Sequence, residues 1–360
     1  MKIGILLHPY DEDKPAGLAR TIFELTKGML ETDAENEYII FVKNKPRKEP
    51  ELPGKNWQLY VLGGKGIFWL DRMRHAPRAD IYIFNTPVMP LFWRPPKSIV
   101  IALDFAYWYL ASWKPRDQFQ RVATFLFHRF SLRKADAIVA ISHATKEDTI
   151  KLFGISPKKI SVVWCGFKKI CAVPEKSVTL PEKFFFFAGI LKLRKNVFNI
   201  VKAFHLFKKN HPDYHLVLAG NPARGAYHDA ILNFIKQKGL EPNIHFVSHL
   251  NDGELSYVYR RAQALAFPTL IEGFGYPVLE AMDCGIPVIT SNQSSLKEIG
   301  GEAALLVDPY NPEDIAGAMR AIVEKPGLRD SIIQKGKARA SQFSWQKAAR
   351  ELLQLSMRLS

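Results

Sequence analysis

Two glutamates bracket the stretch of this sequence best suited to hold a ligand. Residues 267–290 read FPTLIEGFGYPVLEAMDCGIPVIT, with Glu272 before the turn GFGYP, Glu280 after it, and seven residues between the two. A strand ends at Phe267-Pro268 and a helix starts near Pro277, where proline's missing N–H costs nothing. Gly285 closes that helix before the next strand. The backbone N–H groups of the turn, at the positive end of the helix, can hold an anion. Carboxylates on either side can accept hydrogen bonds from sugar hydroxyls. Alone, either glutamate reads as a solvated loop residue or a favourable first-turn charge; paired around GFG, they point to a ligand.

A cationic loop forms the second half of the pattern. FFFFAGILKLRKN places Gly189 just after a strand, then Lys192, Arg194 and Lys195 ahead of the helix NVFNIVKAFHLF. Cations there could neutralise a diphosphate, the task Mg²⁺ performs in other nucleotide enzymes. In HPYDEDKPAGLARTIF, Gly17 precedes a helix, and its missing Cβ would admit a ligand close to the backbone. Asp11 to Asp13 read as a solvated loop. Among the histidines, His205, His211 and His215 read as surface residues, and His245 and His249 as the polar rim of the pocket for a base.

The elements that must position these residues alternate. KIGILL, EYIIFV, WQLYVL, IYIF, SIVIAL, AIVAI and ISVVW are short apolar runs separated by amphipathic stretches such as LARTIFELTKGMLE and TKEDTIKLFG. After the polar connector CAVPEKSVTLPEK, the pattern restarts with FFFFAGI, HLVLAG, NIHFV, ALAFP, PVIT and ALLV. Nearly continuous apolar strands alternating with helices predict parallel sheets covered on both faces. The expected fold is therefore α/β, with two Rossmann-like, doubly wound domains at 1–172 and 173–342 and a last amphipathic helix at 343–360. Ligands of such sheets bind at the carboxyl ends of the strands, and the cleft between two units in tandem is the natural site.

Composition narrows the classes further. The 360 residues are 47% hydrophobic and 24% charged, which excludes collagenous and disordered chains. No apolar run approaches the ~20 residues of a membrane span, and the apolar start of MKIGILLHPYDED is too short for a signal-peptide core. Three cysteines without CxxC spacing predict neither disulfide framework nor zinc site, and favour a reducing cytosol. The net charge is +15, and residues 1–170 hold 27 basic against 17 acidic groups. A basic half suits anionic partners. No zinc-finger, RNP or GXXG pattern supports a nucleic acid. In GGKGIFWLDRMRHAPR, Phe68 and Trp69 sit among Lys65, Arg72, Arg74 and Arg78; LFWRPPK, WYLASWKPR and QRVATFLFHRFSLRK repeat the mixture. Basic groups beside exposed aromatics suit an anionic membrane surface. For any one segment the simpler reading is core aromatics with a solvated charged face.

EGFGYPVLE resembles the E-x7-E signature of the retaining family-4 (group 1) glycosyltransferases, which have the GT-B fold. The likeness continues through AMDCGIPVITSNQSSLKEIGGEAALLVDPYNPEDIAGAM, and GILKLRKN is similar to the family's G-x-L-x-x-R-K-N loop. It covers residues 184–325 closely and the first domain more loosely. The terminal FSWQKAARELLQL resembles a closing helix that crosses back onto the first domain.

The resemblance implies a metal-independent hexosyltransferase without cofactor. Its substrates would be a nucleotide-diphosphate sugar and a hydroxyl on a glycan or lipid-linked acceptor, in cell-envelope polysaccharide or glycolipid synthesis. The place of action would be the cytoplasm, including the inner face of the membrane. By the same resemblance Glu272 contacts the transferred sugar, Arg194 and Lys195 bind the diphosphate, and Glu280 contacts the ribose. Gly17 and the amides of Phe274, Gly275 and Val278 hold phosphate or hydroxyl oxygens. Two positions depart from the family: Ile190 stands where many relatives have arginine, and Leu103 where many have histidine. A nucleotide-sugar epimerase of the same fold and a non-catalytic membrane-binding relative are the alternatives.

Overall fold

The computed structural model describes residues 1–10, 18–66, 68–110, 115–221, 225–248 and 250–359. The chain forms two compact units: Met1–Gly166 with Phe343–Ser360, and Phe167–Gln342. Gly17, Asp11 to Asp13 and His249 lie outside the described residues.

In the first unit the strands are β1 (Lys2–Leu6), β2 (Glu37–Val42), β3 (Trp57–Val61), β4 (Ile81–Phe84), β5 (Ser98–Ala102), β6 (Ala137–Ala140) and β7 (Ile160–Val162). They form a seven-stranded parallel sheet in the order β3-β2-β1-β4-β5-β6-β7. The second unit has β8 (Phe184–Ala188), β9 (His215–Ala219), β10 (Ile244–Val247), β11 (Ala264–Phe267), β12 (Val288–Ser291) and β13 (Leu305–Val307). Its six-stranded parallel sheet runs β10-β9-β8-β11-β12-β13. Each apolar run picked out in the sequence is a strand. The central strands are buried over all but a terminal residue at most, as in the four phenylalanines of β8, whereas the edge strands β3, β7 and β10 include exposed positions.

The helices are α1 (Leu18–Thr32), α2 (Ala106–Tyr109), α3 (Pro115–Lys134), α4 (His143–Phe153), α5 (Val197–Lys208), α6 (Ala226–Gln237), α7 (Asp252–Arg261), α8 (Tyr276–Asp283), α9 (Ser294–Gly300), α10 (Pro312–Glu324), α11 (Pro326–Ala340) and α12 (Trp345–Leu359). Local chemistry sets several ends. Ser142 Oγ accepts the Thr145 N–H (3.1 Å) to open α4, and left-handed Gly154 ends it. Asn251 and Glu254 form a reciprocal capping box at α7. Helix α12 packs on α1, burying Ala348, Ala349, Leu352 and Leu353. Gly28 admits that approach, since a Cβ there would lie 3.0 Å from Ala349 Cβ.

Two expectations are overturned. Cys171 and Cys284 form a disulfide, with Cα atoms 5.4 Å apart, while Cys165 is a buried thiol. The bond joins residues 113 apart in sequence, so no local spacing could reveal it, and the inference from cysteine count to a reducing compartment loses its premise. Trp69 is buried edge-on against His8, in line with the simpler reading of its segment, while Phe68 faces solvent. His245 belongs to no pocket rim at the carboxyl ends: it pairs with His215 (2.9 Å), the first residue of β9, towards the amino ends of the strands.

His128 of α3, which the motifs did not single out, packs edge-on against Phe105 and Tyr107, with Nδ1 3.1 Å from the Tyr107 hydroxyl. Burial pushes its imidazole down to about 4, against a smaller opposing pull from Asp104. Below about pH 6.5 the unfolded chain binds a proton that the folded one refuses, so stability falls with pH until about 4. His128→Gln should remove about 2–3 kcal/mol of that acid-side loss. Denaturant titrations of both proteins at neutral pH and near pH 4 check this; parallel losses would contradict it.

Candidate functional site

In the second sheet the strand order reverses between β8 and β11, and both functional stretches leave from these two carboxyl ends. That is the place where open parallel sheets put their ligands. The loop after β8 begins at Gly189, whose N–H donates to the Ala219 carbonyl (2.9 Å). The neighbouring turn must be glycine: a Cβ on Gly220 would lie 2.0 Å from Gly189 O. A short 3-10 turn over Leu193–Lys195 follows and ends at Asn196 in the left-handed region, φ 59°.

Asn196 latches the loop. Its side-chain amide donates to the carbonyls of Pro268 (2.9 Å) and Pro309 (2.6 Å), and Leu270 N–H donates to Arg194 O (2.9 Å). The loops after β8 and β11 are thereby one unit. From the other side, hydroxyls at the start of α9 fix the turn. Ser294 Oγ and Ser295 Oγ donate to the Glu272 carbonyl at 2.7 and 2.9 Å, and Ser295 Oγ also reaches Phe274 O (3.0 Å). Gly275 opens α8 at φ 112°, and a Cβ there would strike Leu296 Cδ2 at 2.5 Å.

This frame brings Lys195 Nζ to 2.5 Å from Glu272 Oε1, with the ammonium 4.9 Å from the Phe267 ring centre. Both side chains are largely withdrawn from solvent. Arg194, next in the chain, is half-buried, and Lys192 is exposed. Glu280 is buried on α8 and accepts a hydrogen bond from the Tyr259 hydroxyl of α7 (3.2 Å). Phe274 and Val278 are buried. The Val278 N–H, which the resemblance assigns to a ligand oxygen, donates to the Gly275 carbonyl (3.0 Å), because the first turn of α8 is tight.

Glu272, Arg194, Lys195, Phe274, Gly275, Val278 and Glu280 thus lie in one unit, on the loop after β8, the loop after β11 and α8, and Gly17 lies outside the described residues. The sequence reading took Lys195 as a bare cation facing an anion; the structure gives it a carboxylate partner. It also missed Asn196, Tyr259, Ser294 and Ser295. The left-handed Asn directly before a helix was a legible signal for the first, but the other three depend on distant segments meeting. Among the described residues no group of three or more His, Cys, Asp or Glu side chains could hold a metal ion.

Parallel α/β units with a cationic loop and an acid-flanked helix mouth at a switch point define a class of anion-handling enzymes. The sequence profile described as "Glycosyl transferases group 1" matches residues 173–339, and that of "Glycosyltransferase Family 4" matches 15–168. The chain belongs to the group 1 glycosyltransferases, of GT-B fold. It is 27% identical to the O-antigen chain mannosyltransferase B of Escherichia coli over 275 residues, covering 74% of this chain and 71% of that protein. Of solved structures, the sucrose-phosphate synthase of Thermosynechococcus elongatus superposes with TM-score 0.77 at 17% identity, covering 99% and 98% of the two chains. Anabaena HepE, solved in complex with UDP and glucose, gives 0.75 at 16% identity, covering 99% of each.

Asn196→Ala removes both latching bonds and leaves a non-glycine residue in the left-handed region without its polar side chain. It should destabilise the protein by about 2–4 kcal/mol. Urea denaturation measures this, and a loss under about 1 kcal/mol would show that the loops hold together without the latch.

Proposed function

We propose that this glycosyltransferase moves a hexosyl group from a nucleotide-diphosphate sugar to a hydroxyl of a glycan or lipid-linked acceptor, with retention of anomeric configuration. The observation that carries the reading is the Lys195–Glu272 pair, fixed where β8 and β11 deliver their loops. Relatives named as mannosyltransferases and the UDP of HepE support a hexosyl group and a nucleotide donor.

In this mechanism Lys195 and Arg194 stabilise the diphosphate as it leaves, and Glu272 holds the Lys195 ammonium while its second oxygen meets the sugar. Glu280, set by Tyr259, receives the ribose hydroxyls. The bond from the anomeric carbon to the diphosphate oxygen breaks as the acceptor oxygen bonds on the same face, and the acceptor proton passes to the departing phosphate. Catalysis is positioning and charge stabilisation. A place of action at the cytoplasmic face of a membrane belongs to the proposal. The Cys171–Cys284 bond opposes it, and thiol labelling of acid-quenched cells would decide between them.

Lys195→Ala should lower kcat about a hundredfold or more. Glu280→Ala should chiefly raise the donor KM. Product analysis with a panel of nucleotide sugars supplies both numbers. Near wild-type turnover for Lys195→Ala at saturating donor would contradict the reading, and donor isomerisation without acceptor would favour an epimerase.

A further inference from the structure

Helix α3 has two apolar faces. The inner one packs: Phe125 stacks on Trp108 (4.5 Å) and Phe153 (4.9 Å), and Leu132 is fully buried. The outer one carries Phe119 (76% exposed), Val122, Leu126 (58%) and Phe130, spaced to fall on one side of the helix. An apolar row on a surface helix loses contact with water only when something covers it.

The charges beside this row are nearly all of one sign. Asp117 is the helix's one acid, and Arg116, Arg129 and Arg133 flank the row, while Arg121 turns to the inner side over the Trp108 ring. A groove of about 460 Å³ at its carboxyl end is lined by Leu126, Arg129, Phe130, Arg133 and Lys134. It sets two apolar side chains among three cations.

A second aromatic display is anchored to the same end. Lys134 Nζ donates to the carbonyls of Pro90 (2.7 Å) and Trp93 (2.9 Å), while Asp71 accepts the N–H groups of Phe92 (2.6 Å) and Trp93 (3.0 Å). The arch so clamped holds Phe92 77% exposed, against the half-exposed Phe68 (ring centres 5.6 Å apart). Two charged side chains spend their hydrogen bonds on keeping a phenylalanine out in solvent.

We propose that the outer face of α3, together with the Phe92 arch, docks onto a bilayer containing anionic phospholipid. The apolar row enters the acyl boundary and the guanidinium groups of Arg129 and Arg133 meet lipid phosphates, as an interfacial helix requires, while Lys134 stays with the arch carbonyls. Charge complementarity selects this occupant over an apolar protein face, since Arg129 and Arg133 would be desolvated there without counter-charge.

Sedimentation of the full chain with vesicles tests this without any catalysis, so failure here leaves the transfer reading standing, and the reverse. The protein should pellet with equimolar phosphatidylcholine and phosphatidylglycerol, weakly with phosphatidylcholine alone, and less as salt rises. Phe119→Ser with Leu126→Ser should lower partitioning about tenfold or more. Arg129→Glu with Arg133→Glu should abolish the preference for phosphatidylglycerol, and Leu232→Ser, an exposed site on α6, should change nothing. Phe92→Ser serves as an independent variant if a double one melts early. No binding at low salt, or binding indifferent to these changes, overturns the proposal. So does a lipid-free dimer in light scattering that Phe119→Ser with Leu126→Ser dissociates, which would give the face to a second copy of this chain.

Discussion

The site depends on holding a lysine and a glutamate together away from water. At 2.5 Å and with little solvent access, the Lys195–Glu272 pair is stable only if neither partner can drift, because removing charges from water costs several kcal/mol per ion unless the geometry is good. The surrounding structure supplies that geometry through backbone anchors. Asn196 ties the lysine's loop to the carbonyls of Pro268 and Pro309, and Ser294 and Ser295 tie the glutamate's own carbonyl to α9. The sheet order places both loops side by side.

In the proposed function this charge pair receives an anion. A diphosphate arriving beside Lys195 and Arg194 would share a cation already oriented, without the cost of ordering a long side chain from solvent. The carboxylate also keeps the loop from being a bare cluster of like charge. Ile190 is exposed where the family resemblance leads one to expect arginine, so in the proposed mechanism Lys192 or Arg194 would supply that charge. In the first unit, Leu103 is half-buried and its carbonyl accepts the Thr145 hydroxyl (3.1 Å), which ties the end of β5 to α4.

The strands were legible because a parallel sheet covered on both faces needs unbroken apolar runs, and FFFF or HLVLA cannot be mistaken for an amphipathic helix. The start of α8 was legible within one residue from Pro277 and Gly275. Illegible features share one property: they join segments far apart in sequence. The Cys171–Cys284 bond, the Tyr259–Glu280 hydrogen bond and the serine hydroxyls of α9 follow from the folded arrangement and leave no local spacing behind. The opposite orientations of Phe68 and Trp69 were illegible for a related reason. A basic-aromatic stretch does not say which aromatic turns inward, and packing against His8 decided it.

A crystal structure of the chain with a bound nucleoside diphosphate, chosen as the one that most raises the melting temperature, tests the central claim most directly. The account predicts diphosphate oxygens within hydrogen-bond distance of Lys195 Nζ and Arg194, and ribose hydroxyls on Glu280. A nucleotide seated elsewhere, with the Lys195–Glu272 pair untouched by it, would contradict the account.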